Sequence, residues 1–189
     1  MATGIATNPT NGHLFVSTIG FGVIFDVDPS TGVAKPLVSV AADGLTVNAA
    51  GTVLYAEVND HIIGYDTTTG AQVFDSGFIP GGPDGTAIGT SGSIAGELFV
   101  NTNGGTVVEV NINTLAQTVI ATGGTRGDFV TVDTLNDTLL LTQTDDIVRL
   151  TPISGGFDPP PSTPEPASLV LLGSALAMLG ALRRRRQPV

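Results

Sequence analysis

Acids dominate the groups that could do chemistry in this chain: 17 aspartates and glutamates stand against seven lysines and arginines, with two histidines and no cysteine. Without cysteine, disulfide frameworks, thiolate metal sites and cysteine nucleophiles are all excluded. Asp26 and Asp28, in DVDPSTG, invite a calcium-loop reading. An EF-hand-type loop begun at Asp26 needs Gly at position 31 and Glu at position 37, where Thr31 and Leu37 stand. Asp28 is therefore read as a hairpin residue bonding its own turn backbone. His13 and His61 open strands of different class and do not make a metal triad by themselves, so surface or turn roles are expected for both. Asp43, Asp84 and Asp128 sit beside the glycines that open three repeats and could line a cation-friendly ring. Turn formation before Gly44 and Gly85 is the preferred reading. Arg126-Gly127-Asp128 is a chance-level tripeptide at a strand boundary. No Ser-His-Asp arrangement, Gly-rich phosphate loop or zinc spacing occurs. Aromatic residues make up 5% of the chain and Trp is absent, which argues against a stacking platform for sugars or bases. No catalytic, cofactor-binding or metal site is assigned, no cofactor is expected, and the body is not expected to be an enzyme.

The elements that must position these residues form a repeat. Units open at Gly4, Gly44, Gly85 and Gly127, a period of 40 to 42 residues. Each continues with a second apolar element: GHLFVST from Gly12, GTVLYAE from Gly51, GELFVNT from Gly96 and DTLLLTQ from Asp137. A third follows with apolar residues two apart: GVIFDV from Gly22, HIIGYD from His61, TVVEVN from Thr106 and DIVRLT from Asp146. In three units the turns DPSTG, DTTTG and NINTL lead to a fourth. Period-two patterning between turn residues reads as strands. Four short strands per repeat of about 40 residues, with no helical period in the body, predict an all-β fold of four propeller blades.

The fourth blade is incomplete: it stops after its third strand at Leu150, because Pro152, Gly155, Gly156 and the prolines from Pro159 cannot continue a sheet. The chain also begins directly in an innermost strand, without the basic and apolar regions of a signal peptide. Two readings stand: a small complete propeller, or the C-terminal part of a six- or seven-bladed protein truncated at its N-terminus. The second is the expectation, because the missing strand and missing signal point the same way.

Charge separates body from tail. Up to Ser162 there are 16 acids against Lys35, Arg126 and Arg149, a net charge of −13. Such a body repels nucleic acid, which is excluded as a partner. Residues 1–153 form the propeller domain. A Pro/Gly-rich linker at 154–163 leads to a tail at 164–186. There, Ala167 to Leu182 is an uncharged run closed by Arg183, Arg184, Arg185 and Arg186. As a helix it reaches about 24 Å at 1.5 Å per residue. That is short of a hydrocarbon core of roughly 30 Å, but spans it if the flanks snorkel and the bilayer thins. The arginines stay cytoplasmic, which places the body outside. A single transmembrane helix at 167–182 is therefore expected.

Pro164-Glu165-Pro166, a short apolar helix and a terminal arginine cluster together resemble the PEP-CTERM sorting signal of exopolysaccharide-producing Gram-negative bacteria. The resemblance implies recognition by an exosortase, a membrane-embedded protease, with cutting near Pro164, Glu165 and Pro166. It also implies passage through the inner membrane and then residence at the cell surface or in the extracellular matrix. More loosely, IATNPTNGHLFVST and FDVDPSTG are similar to bacterial surface propellers of the NHL, lactonase-like and quinoprotein-like kinds. The expected function is binding or scaffolding in an extracellular polysaccharide matrix. A metal-dependent lactonase- or lyase-like propeller enzyme is the alternative.

Overall fold

A computed structural model describes residues 1–153 together with Gly156 and Phe157. Each repeat folds into one antiparallel meander. The first blade comprises β1 (Gly4–Thr7), β2 (Leu14–Thr18), β3 (Val23–Asp28) and β4 (Val33–Val38). The second comprises β5 (Leu45–Val47), β6 (Val53–Val58), β7 (His61–Asp66) and β8 (Gln72–Asp75). The third comprises β9 (Pro83–Ile88), β10 (Glu97–Thr102), β11 (Val107–Asn111) and β12 (Gln117–Ala121). The fourth has three strands, β13 (Val130–Asp133), β14 (Thr138–Thr142) and β15 (Ile147–Leu150). The body is thus an all-β, four-bladed propeller-like fold. Among the described residues the only helix is a 3-10 turn at Gly92–Ile94, and no helix is long and apolar enough to cross a membrane. The expected linker at 154–163, apart from Gly156 and Phe157, and the expected helix at 167–182 lie outside the described residues.

Turn chemistry explains why the strands fold back where they do. Asp28 accepts from Ser30 N at 2.8 Å and from the Thr31 hydroxyl at 2.9 Å. Asp66 accepts from Thr68 N at 3.0 Å and Thr69 N at 2.8 Å. Asn111 accepts from Asn113 N at 3.0 Å and Thr114 N at 2.9 Å. These are Asx turns, in which a short side chain replaces backbone partners lost at the bend. Gly32 and Gly70 close two of them at φ of +70°, whereas Leu115 adopts φ of +61° in the third.

The core lies between blades, because alternation sends successive side chains of each strand to opposite neighbours. In β6, Leu54, Ala56 and Val58 join Phe15 and Ile24 of the first blade, while Tyr55 joins Ile88, Leu98 and Val100 of the third. In β10, Phe99 turns the other way, toward Val130, Leu139 and Leu141 of the fourth. The innermost strands stack in sequence, β1 beside β5, β5 beside β9 and β9 beside β13. No comparable packing joins β13 to β1 among the described residues.

Register places the fourth repeat differently from its sequence reading. Gly4 pairs with Ser17 and Gly85 with Asn101, and Glu57 donates its N–H to Gly44 O. In the fourth blade Thr142 N donates to Phe129 O. Phe129, and not Gly127, therefore stands where Gly4, Gly44 and Gly85 stand. The physical reason is the spacing between blades. A Cβ on Gly4 would strike Asp43 O, one on Gly44 would strike Asp84 O, and one on Gly85 would strike Asp128 O. These glycines are required by the next blade's backbone. Phe129, 56% exposed, has no following strand packed upon it among the described residues.

Candidate functional site

The same stacking brings together residues far apart in sequence. Thr3, Asp43, Asp84 and Asp128 each precede the residue that opens a blade, so the ladder of innermost strands aligns them at one end. Asp43, Asp84 and Asp128 line a cavity of about 130 Å³ there, with Thr3, Gly4 and Thr86. Reading the aspartates as turn formers is corrected by this geometry. Asp84 lies within β9, and the three acids form the inner mouth of the blades. Gly44 and Gly85 after Asp43 and Asp84 had suggested turns, but they permit close approach of neighbouring strands.

Electrostatics follow from that crowding. The Asp43 and Asp84 carboxyls lie close enough to interact directly. Burial, then the charges of Asp84 and Asp128, push the Asp43 carboxyl above the ordinary range. Burial also raises Asp84, which is 6% exposed, although Arg126 lies 2.6 Å from its Oδ2 and pulls the other way. Arg126 thus has a partner that its tripeptide context did not reveal.

Glu57 was not singled out by the sequence. It occupies the β6 position equivalent to Ser17 in β2 and Asn101 in β10. Ser17 donates to Asp43 O at 2.9 Å, and Asn101 donates to Phe129 O at 3.1 Å and Thr142 O at 2.9 Å, each tying its blade to the next. A carboxylate in that position has no proton to give. Burial, then Asp43, Asp84 and Asp60, push Glu57 up to about 7. The signal was available in the alignment of the repeats: Ser, Asn and Thr mark the position elsewhere.

The two histidines are placed apart. His13 Nδ1 lies 2.8 Å from Asp26 and His61 Nδ1 lies 2.8 Å from Asp75. Among the described residues no group of three His, Cys, Asp or Glu side chains is disposed to hold a metal ion. Asp28 bonds its own turn, and contacts with Ser30 and Thr31 hold its carboxyl down to about 2. A second concavity, of about 480 Å³, lies between the first two blades at the other end of the innermost strands. Asn11, His13, Asp26, Lys35, Thr52 and Thr68 contribute to its polar wall. Sorting residues Pro164, Glu165, Pro166, Arg183, Arg184, Arg185 and Arg186 lie outside the described residues.

Blades of this construction define a β-propeller protein, and solved structures bear that out. Hydrazine synthase of Kuenenia stuttgartiensis is 16% identical with a TM-score of 0.66, covering 79% of this chain and 46% of that one. A chain of a nidogen/laminin complex is 15% identical with a TM-score of 0.69, covering 80% of this chain and 60% of that one. The Cps50 (Swd1) β-propeller domain of Myceliophteria thermophila is 13% identical with a TM-score of 0.63, covering 82% of this chain and 53% of that one. The chain spans about half the length of these structures. Likeness at this identity concerns the fold alone. Residues 162–186 match the PEP-CTERM protein-sorting motif. The chain therefore joins a propeller-like body to a PEP-CTERM motif, a sorting signal that implies processing by an exosortase and export to the surface or the extracellular space. No curated protein matches the chain.

Proposed function

We propose that the body is a non-enzymatic binding module that its tail delivers to an extracellular polysaccharide matrix. In transit, the 167–182 run spans the inner membrane with the body outside, and exosortase cleavage near Pro164, Glu165 and Pro166 ends that anchorage. The observation that carries the binding reading is the polar cleft between the first two blades. Its groups with hydrogen-bonding capacity to spare are the Lys35 ammonium, the Asn11 amide N–H, the distal His13 nitrogen and the Thr68 hydroxyl. These groups, beside the Asp26 carboxylate engaged by His13, suit a hydroxyl-rich chain, with Lys35 available to an occasional acidic group. Lys35 is the only lysine of a strongly acidic chain, so its position in the cleft favours an acidic sugar there over elsewhere on the body. A metal-dependent lactonase- or lyase-like site lacks a set of three ligands among the described residues.

The test is binding of the full chain, in nonionic detergent, to neutral and uronic-acid-containing polysaccharides. The expected result is retention by the acidic polymer, weakened several-fold in Lys35→Ala and Asn11→Ala. Equal retention of both variants and the wild type would overturn the assignment to this cleft.

A further inference from the structure

The charge of the cleft between the first two blades hangs on one side chain. Asp26 and Lys35 are cross-strand partners in the register of β3 and β4, so a carboxylate and an ammonium stand side by side there and offset each other. His13 is the third ionisable group of the lining, with its side chain one-third exposed. The turn before it contributes Asn8, Thr10 and Asn11, and the second blade contributes Thr52, Thr67 and Thr68, none of them charged. Asp28 and Asp66, the acids that border the cleft in sequence, are held by Ser30 and Thr31 and by Thr68 and Thr69 of their own turns. A neutral His13 therefore leaves the cleft without net charge, and a protonated one makes it a cationic site on an acidic body.

Asp26 also decides what the imidazole offers. Its Oδ1 lies 2.8 Å from His13 Nδ1. An ionised carboxylate can only accept, so Nδ1 carries the hydrogen and donates it. Neutral His13 is thereby left with a bare Nε2, an acceptor for a sugar hydroxyl. Protonation places a hydrogen on Nε2, and the same atom becomes a charged donor suited to a carboxylate. We propose that His13 is the specificity-determining residue of this cleft: neutral, it accepts from a polysaccharide hydroxyl, and protonated, it donates from Nε2 to a uronic-acid carboxylate that Lys35 also attracts. The inference rests on the reading of the cleft as a polysaccharide site and adds which polymer it favours at which pH. His61 supplies the contrast: its Nδ1 lies the same 2.8 Å from Asp75, but it is outside the cleft and has no lysine across its strands.

The experiment measures retention of the full chain, in nonionic detergent, by a neutral and by a uronic-acid-containing polysaccharide between about pH 5 and about pH 8, where histidines change charge. Uronic carboxylates stay ionised throughout, so the polymer itself does not titrate. The acidic polymer is expected to bind about five- to tenfold more tightly at the acid end, the worth of one charge-assisted hydrogen bond at a partly exposed site. The neutral polymer should show no such gain. His13→Gln keeps an amide to meet Asp26 but stays uncharged, and should lose the dependence; His61→Gln should keep it. Glu57, pushed up to about 7, titrates in the same range at the other end of the innermost strands. A strand of five residues spans about 17 Å, roughly twice the screening length of about 8 Å at physiological salt, so Glu57→Gln should keep the dependence too. Circular dichroism verifies that each variant is folded. Nitrogen-15 NMR of the wild-type imidazoles at about pH 8 reads the tautomer directly, and a hydrogen on Nε2 of neutral His13 would overturn the role given to that atom. Equal retention of the acidic polymer across the range, or an undiminished dependence in folded His13→Gln, would overturn this inference and leave the cleft reading in place. No retention of either polymer at any pH would overturn the cleft reading and this inference with it.

Discussion

Replacing Glu57 with Gln is expected to stabilise the fold, and to do so in a pH-dependent way. Glu57 moves from an ordinary 4.5 to about 7 on folding, because burial and the charges of Asp43, Asp84 and Asp60 disfavour its ionised form. A shift of that size corresponds to about 3 kcal/mol at 1.36 kcal/mol per pH unit. Partial exposure and solvent screening reduce it to about 1–2 kcal/mol. The sign is set by which state holds the proton. Between pH 4.5 and about 7 the folded chain binds it more tightly than the unfolded chain, so this contribution is complete below pH 4.5 and is lost as pH rises through 7. Gln carries no charge at any of these values. It also offers an N–H where Ser17 and Asn101 donate to the next blade. Urea unfolding of wild type and Glu57→Gln at pH 5 and pH 8 measures the difference. The expected gain is small at pH 5 and about 1–2 kcal/mol at pH 8. A gain independent of pH, or a loss at pH 8, would refute the reasoning that Glu57 is a buried acid kept neutral by its neighbours.

Gly85→Ala should cost about 3 kcal/mol or more, because its Cβ meets the Asp128 carbonyl and the strands cannot separate without opening the interface. Phe129→Ala, at the equivalent place in the fourth blade, should cost less than about 1 kcal/mol; thermal or urea unfolding compares the two. Leu115→Gly relieves a left-handed backbone at φ of +61° and should stabilise by about 1 kcal/mol, read by the same method. Asp28 should titrate near 2 in a carboxyl NMR titration and Glu57 near 7, the lowest and highest carboxyls with an assigned value. Because the Asp28 value is depressed, its contribution is present above the ordinary aspartate range and disappears as pH falls through 2.

The blades were legible because local physics writes them. Period-two runs such as GHLFVST and TVVEVN, separated by DPSTG, DTTTG and NINTL, specify strands and Asx turns without reference to distant residues. Among the described residues the fourth blade also ends at Leu150, as Pro152, Gly155, Gly156 and the prolines from Pro159 had indicated. What depended on contact between blades was less legible. Gly4, Gly44 and Gly85 were correctly noticed as a series, but their cause is the neighbouring backbone and not a turn. The series was therefore wrongly continued to Gly127, where Phe129 is the true equivalent. Asp43 and Asp84 were assigned to turns for the same reason: an Asp-Gly pair has a local meaning, and here the tertiary one prevails. Glu57 reads in isolation as a solvent-facing strand residue. Its significance appears only when the four repeats are aligned by register.

That misreading carries the main physical lesson about how this fold makes a site. A glycine allows the carbonyl of the next blade's aspartate to come against its backbone, and the aspartate side chain must then project beside the one before it. Asp43, Asp84 and Asp128 are thus brought close by the requirement that successive blades pack, at an energetic cost visible in the raised Asp43 and Asp84 carboxyls. A purely structural joint would use the neutral donors found at Ser17 and Asn101, which tie blades together without charge. The second blade instead presents Glu57 at that position, adding to the acids at the mouth where a Ser or Asn would have sufficed. The excess of carboxyls over cations at this one interface goes beyond what blade packing requires.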